Sequence, residues 1–106
     1  MATRSVEAYA HVIRAYDLTF EGYFQEGADE LKEAVAIDPE MGLAWSLLGC
    51  AYSFAGDDVN ARAAQKKAEE LLYRVNQKER RWIELNGIWV NTGNGQLHRK
   101  AAEQYI

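Results

Sequence analysis

Apolar residues recur three and four positions apart along most of this chain, which is the spacing of amphipathic helices. The first such stripe consists of Tyr9, Val12, Ile13, Tyr16 and Phe20. No long segment alternates between apolar and polar residues, as a half-buried strand would. Alanine, glutamate, leucine, lysine, arginine and glutamine are frequent, and all of them favour helix. The pattern therefore predicts an all-α chain.

Glycines and capping residues divide the chain into six segments of helical length. Gly22, Gly56 and Gly93 can adopt the left-handed conformation that ends a helix. Asp38 and Pro39 form a further break. The helices predicted from these breaks span residues 6–21, 24–37, 40–55, 58–74, 77–91 and 96–106.

Two polar residues are predicted to cap the helices that follow them. Asp38 precedes a helix with Pro39 in its first turn, where a proline needs no N–H partner. Asn76 is followed three positions later by Glu79, which is a variant of the capping box. Because the connecting loops are short, consecutive helices are expected to be antiparallel neighbours.

The clearest motif lies in the middle of the chain. Residues 45–52, Trp-Ser-Leu-Leu-Gly-Cys-Ala-Tyr, match the pattern W-x2-L-G-x2-Y throughout. Ala61 and Ala68 follow on the next predicted helix, and small side chains there would let that helix approach Gly49 closely. This segment resembles the tetratricopeptide repeat, a helix-turn-helix unit of about 34 residues.

The resemblance extends over nearly the whole chain and is strongest in the middle. The first pair of helices matches best over residues 22–39, whereas His11 and Arg14 stand where Trp and Leu are usual. In the third pair Trp82 begins the motif, and Asn86 replaces the packing glycine. The resemblance implies a single domain over residues 1–106, with three antiparallel helix-turn-helix repeats stacked as a right-handed α-solenoid. The repeats span about residues 6–39, 40–75 and 76–106, and the last one is expected to be truncated.

The charge and the rare side chains argue against several classes of function. With 12 Lys and Arg against 16 Asp and Glu, the formal net charge is -4, which is unfavourable for contacts with nucleic-acid phosphates. The single cysteine, Cys50, and the distant histidines His11 and His98 form no metal-ligand cluster. No potential nucleophile has a base nearby in the sequence, so we expect no enzyme activity and no cofactor.

The sequence also indicates where in the cell the protein is expected. It contains no apolar run of about 18 residues, so no membrane-spanning helix is predicted. The first residues, Met1 to Glu7, carry charge early and lack the apolar core of a secretory signal. We therefore expect a cytoplasmic protein with no membrane partner.

In the resembled family, the first helix of each pair lines a concave face that binds peptides or helices of other proteins. Carried over residue by residue, the resemblance implies a partner-binding groove lined by Tyr9, Val12, Tyr16, Phe20, Leu43, Ser46, Cys50, Phe54, Arg80, Ile83, Gly87 and Val90. The carboxylate clamp of some family members is not expected, because Val12, Tyr16 and Leu47 stand at most of its positions. An apolar helix or extended segment is the expected partner.

The residues and the resemblance support two hypotheses about function. The first is a non-catalytic protein-interaction scaffold. The second is an accessory repeat segment of a larger bacterial signalling or regulatory protein, whose catalytic or DNA-binding part lies outside this chain. Residues 5–9 and 77–84 are similar to repeat regions that follow such domains. Self-association is expected as well, since the groove aromatics and the end at Ile106 would expose more apolar surface than a monomer usually tolerates.

Overall fold

Helices joined by short turns make up the computed structural model, which describes residues 2–93 and 95–104. The α-helices are α1 (Ala2–Phe20), α2 (Phe24–Ile37), α3 (Gly42–Phe54), α4 (Asp58–Glu70), α5 (Gln77–Thr92) and α6 (Gly95–Gln104), and a 3₁₀ helix at Leu72–Arg74 follows α4. The predicted all-α class is confirmed, since this part of the chain contains no strand. Within it, no helix combines the length and the apolar character that crossing a membrane requires.

Three glycines end helices as predicted. Gly22, Gly56 and Gly93 have φ angles of 91°, 86° and 63°, in the left-handed region that residues with a Cβ rarely adopt. At the start of α5, the Asn76 side chain accepts a hydrogen bond of 2.9 Å from the backbone N–H of Glu79. The predicted cap is therefore present, and the bounds of α5 nearly coincide with the prediction.

The predicted cap at Asp38 is wrong. Its carboxylate accepts a hydrogen bond of 3.3 Å from the N–H of Glu40 inside the turn, and α3 begins at Gly42 rather than at residue 40. The carbonyl of Pro39 accepts a hydrogen bond of 2.8 Å from the indole N–H of Trp45. These two bonds hold the residues before Gly42 in a turn and delay the start of α3.

Two further helix bounds differ from the prediction. α4 ends at Glu70 instead of continuing to residue 74, because the backbone N–H groups of Leu71 and Arg74 each bond to the carbonyl three residues earlier, which tightens the chain into a 3₁₀ turn. α1 begins at Ala2, ahead of the predicted residue 6. The predicted turn residue Asn94 and the predicted helix end at Ile106 lie outside the described residues.

The helices pack as hairpins, with the most extensive contacts between α1 and α2 and between α3 and α4. α2 also packs on α3, α5 lies against both α3 and α4, and α6 contacts α5. The core is built mainly from small side chains, among them Ala8, Ala15, Ala28, Ala34, Ala44, Ala51, Ala61, Ala64 and Ala68. The Cα radius of gyration is 12.8 Å, close to the value of about 13 Å expected for a compact domain of this length.

The contact between α3 and α4 depends on Gly49. A Cβ at this position would lie 3.0 Å from the carbonyl oxygen of Ala61 and 3.4 Å from the backbone nitrogen of Gln65. Both are backbone atoms, so they cannot move aside unless α4 itself is displaced. The prediction that Gly49 and Ala61 permit a close helix contact is confirmed.

Two buried polar side chains fix α5 against the α3–α4 hairpin. Nε2 of Gln65 donates a hydrogen bond of 3.1 Å to the carbonyl of Ile83, and Nδ2 of Asn86 donates one of 2.8 Å to Oγ of Ser46. Gly87 leaves the room that Gln65 occupies, because a Cβ at position 87 would lie 2.7 Å from Nε2 of Gln65. Together these contacts set the rotation of α5 about its own axis.

His11 and Arg14 interrupt the apolar face of α1 and join it to α2 through one carboxylate. Nδ1 of His11 lies 2.7 Å from Oε1 of Glu30, and Nε of Arg14 donates to the same oxygen at 3.2 Å. The hydrogen bond with His11, supported by the positive charge of Arg14, lowers the pKa of the Glu30 carboxyl. This ion pair is partly open to solvent, so its contribution to stability is small.

Gly49→Leu is expected to destabilise the fold by about 1–3 kcal/mol, because the added side chain meets backbone atoms of α4 that have little freedom to relax. Urea unfolding followed by circular dichroism measures this change. Ser53→Ala on the same helix is the control and should shift the free energy of unfolding by less than about 0.5 kcal/mol. Equal stability of Gly49→Leu and the unmodified chain would show that this helix contact is not essential.

Candidate functional site

A cavity of about 530 Å³ lies between α1, α2, α3, α5 and α6. It sits where α1, α3 and α5 end and where α2 and α6 begin, so residues on both sides of the turns reach it. We call it the cavity, and it is lined by Ala15, Tyr16, Thr19, Phe20, Phe24, Leu31, Leu47, Cys50, Phe54, Trp82, Asn86, Trp89 and His98.

A row of aromatic rings from four helices forms one wall of the cavity. Phe24 and Phe54 are stacked, with ring centroids 5.3 Å apart, and Phe54 lies 5.7 Å from Trp89. Trp89 in turn meets His98 edge to face at 6.4 Å. Distances of this size are favourable for aromatic pairs, so the row of rings links side chains of α2, α3, α5 and α6.

A second hollow, which we call the trough, continues from the cavity toward the starts of α3 and α5. Its volume is about 430 Å³, and it shares Tyr16, Leu47 and Trp82 with the cavity. The trough is lined in addition by Tyr9, Val12, Ile13, Asp17, Leu43, Asn76, Lys78 and Glu79. Cavity and trough therefore form one groove along α1, α3 and α5, apolar at one end and bordered by charged residues at the other.

Seven of the residues predicted from the sequence line this groove, namely Tyr9, Val12, Tyr16, Phe20, Leu43, Cys50 and Phe54. All seven belong to α1 and α3. Val12 is only 5% exposed and is part of the hydrophobic core as well. Of the residues predicted on these two helices, only Ser46 of α3 lies outside the groove. That a partner binds to these side chains stays a prediction.

Three predicted groove residues are buried instead, so that placement is wrong. Ser46 is enclosed and bonded to Asn86. Ile83 is buried where α5 meets the α3–α4 hairpin, and Val90 is buried as well. Gly87, which was placed with them, is buried against Gln65. For Ile83, Gly87 and Val90 the cause is the register of α5, since its packing glycine is one residue later than the motif beginning at Trp82 requires.

Arg80 does not line the groove either. It is exposed, and its Nε lies 3.7 Å from Oε2 of Glu84, one turn further along α5. This pair covers the solvent face of α5, so the prediction of Arg80 as a groove residue is wrong.

The side chains that replace them are Trp82, Asn86 and Trp89, which face the cavity from α5. Steps of four and three residues put them on one face of the helix. Neither tryptophan was predicted as a groove residue, and Phe24 and His98 were not predicted as lining residues either. Gly87 is the signal that could have corrected the register, because a helix interior contains glycine mainly where another chain segment approaches closely.

The titratable groups of the cavity offer little reactivity. Burial raises the pKa of the Cys50 thiol to about 12, so the thiol stays protonated near neutral pH and is a poor nucleophile. No Asp, Glu, Lys or Arg of the described residues lines the cavity. Three or more His, Cys, Asp or Glu side chains in a metal-binding arrangement are also absent from the described part of the chain. The cavity is thus suited to binding apolar groups.

Comparison with known proteins identifies no relative of this chain. No family model, no curated protein and no solved structure matches the chain. The groove is consequently interpreted from its own residues and geometry.

The stability of the protein is expected to fall as pH rises above about 9, in part because of Cys50. The unfolded thiol ionises near its ordinary pKa of 9.0 while the folded thiol stays protonated up to about 12, so the unfolded state binds fewer protons and is favoured. Between about pH 8 and about pH 10, the chain should lose about 1 kcal/mol more stability than Cys50→Ala does. Urea unfolding at both pH values measures this, and parallel losses in the two proteins would contradict the burial of the thiol.

Proposed function

We propose that this chain is a non-catalytic protein-interaction module that holds an apolar helix or extended segment of its partner in the groove. The observation that carries the proposal is the continuity of the groove across three helices. Tyr16 of α1, Leu47 of α3 and Trp82 of α5 each border both the cavity and the trough. A groove that is shared in this way suits an elongated ligand better than two separate pockets would.

The proposed architecture is a set of three tetratricopeptide-like repeats stacked as a right-handed solenoid. It is supported by the motif in residues 45–52, by the close contact at Gly49 and by the pairing of α1 with α2 and of α3 with α4. In such a stack the first helices of the pairs share one face, and α1, α3 and α5 are the helices that line both parts of the groove. A cytoplasmic location and the absence of a nucleic-acid partner belong to the same proposal.

Exposed aromatic side chains supply the binding energy in this proposal. Tyr16 and Phe54 are 45% and 47% exposed although they border the cavity. Fully covering a large apolar side chain contributes about 1.5–3 kcal/mol, and a few aromatic anchors commonly dominate an interface. A partner that covers Tyr16, Phe54 and Trp82 therefore gains most of its affinity from apolar contact.

The proposed absence of catalysis rests on the chemistry of the possible nucleophiles. The Cys50 thiol is held protonated by its raised pKa. The Ser46 hydroxyl is buried and accepts a hydrogen bond from Asn86, an amide that cannot act as a general base. A nucleophile needs an adjacent base and access to substrate, and neither of these residues has both.

Tyr16→Ala combined with Phe54→Ala is expected to lower the affinity for the partner by at least about tenfold, because two anchors are lost. Helicity should be retained, since both side chains are about half exposed. The partner is isolated by pull-down with the tagged chain, identified by mass spectrometry and then titrated in purified form. Copurification of a second copy of this chain as the main species would identify self-association as the use of the groove.

The matched control is Val59→Ala combined with Tyr73→Ala, which removes two exposed apolar side chains that border neither cavity nor trough. Arg80→Ala should weaken binding only slightly, and added salt should have little effect because the contact is apolar. Binding that survives the double aromatic change, but is lost with Arg80→Ala or in moderate salt, would show that the partner is recognised by charge elsewhere on the surface.

A further inference from the structure

The cavity differs from the trough in its electrostatics. Asp17, Lys78 and Glu79 border the trough, whereas none of the described residues that line the cavity is an Asp, Glu, Lys or Arg. A charged ligand group that enters the cavity would leave water without meeting any of these four side chains among the described residues, and burying an unpaired charge is strongly unfavourable. The burial that raises the pKa of Cys50 is a second sign that this wall disfavours an anion.

The shape of the cavity wall suits a flat molecule. The ring planes of Phe24 and Phe54 are inclined by 29°, and those of Phe54 and Trp89 by 36°, so the wall turns gradually. Phe20 lies against Tyr16 with ring centroids 4.7 Å apart and is 75% exposed. A planar aromatic ligand can stack in an offset manner on such rings and remove their uncovered surface from water.

The volume of the cavity indicates the size of ligand that it can hold. At about 530 Å³, the cavity falls within the range of roughly 300–1,000 Å³ that is usual for small-molecule sites. Its few polar groups, among them Thr19, Asn86 and His98, can orient a ligand without supplying a formal charge pair.

We infer that the cavity is a binding site for an uncharged small molecule with two or three aromatic rings. This goes beyond the proposed function, because the ligand is a free molecule and its binding requires no protein partner.

The test uses two fluorescent probes that share one ring system and differ in charge. N-phenylnaphthylamine is neutral, and anilinonaphthalenesulfonate carries an additional sulfonate. The neutral probe should bind the full chain saturably, with one probe per chain and a dissociation constant at least about tenfold lower than that of the sulfonate, since the described residues that line the cavity include no Lys or Arg to pair with the anion. Equal or tighter binding of the sulfonate would overturn the inference.

Site assignment rests on matched substitutions. Phe54→Asp places a carboxylate on the cavity wall and should lower the affinity for the neutral probe by at least about tenfold. Phe54→Leu keeps the wall apolar and should bind the neutral probe more tightly than Phe54→Asp does. Tyr73→Asp is the control, because Tyr73 is 77% exposed and borders neither hollow. Should Phe54→Asp lose its helical circular dichroism, Phe20→Asp tests the same wall from a position that is mostly exposed.

The outcome also separates this inference from the proposed function. Saturable probe binding that is lost in Phe54→Asp or Phe20→Asp and kept in Tyr73→Asp supports the inference even when the chain captures no protein. Capture of an apolar segment without binding of the neutral probe supports the proposed function and contradicts the inference. Probe binding that Phe54→Asp and Tyr73→Asp reduce equally would place the probe outside the cavity and overturn the inference.

Discussion

The docking of α5 on the α3–α4 hairpin is the contact on which the candidate site depends. Gln65 reaches from α4 to the backbone of α5 at Ile83, and Asn86 reaches back to Ser46 on α3. These bonds fix the rotation of α5, so that Trp82 and Trp89 face the cavity. A shift of one residue turns a helix by about 100°, which would carry both indoles away and remove one wall of the cavity.

The cavity walls lower the stability of the folded chain. Phe20 and Phe54 remain largely exposed, so they contribute only part of the 1.5–3 kcal/mol, roughly, that full burial of each ring would provide. The indole N–H of Trp89 is buried without an acceptor among the described residues, and such an unmade hydrogen bond costs about 1–3 kcal/mol. Places where a sequence departs from the rules of stable folding are commonly functional. Oε1 of Gln65 is also buried without a partner among the described residues but does not line the cavity, so it is the exposed rings of Phe20 and Phe54 that argue for binding there.

The helices and most of their ends could be predicted because their signals are local. A left-handed glycine such as Gly22 or the cap at Asn76 acts within a few residues of its own position. The rotation of α5 could not be predicted from the motif, since it is set by partners far away in the sequence, 18 residues for Gln65 with Ile83 and 40 residues for Asn86 with Ser46. This is why the four predicted side chains of α1 and three of the four on α3 line the groove, whereas Ser46 and the four predicted on α5 do not.

The groove has a direction that follows from the parallel arrangement of its helices. On α3 and α5 the trough is lined near the helix starts, by Leu43, Lys78 and Glu79, and the cavity extends to Phe54 and Trp89 near their ends. Lys78 and Glu79 border the trough near the start of α5, Asp17 borders it from near the end of α1, and the aromatic wall belongs to the cavity. For the proposed partner, a reversed segment would carry its charged groups into the cavity, where the described lining residues include no Asp, Glu, Lys or Arg to pair with them. Burying an unpaired charged group is unfavourable. A segment that is apolar at one end and polar at the other is thus held in one orientation by the same difference in charge that separates cavity from trough.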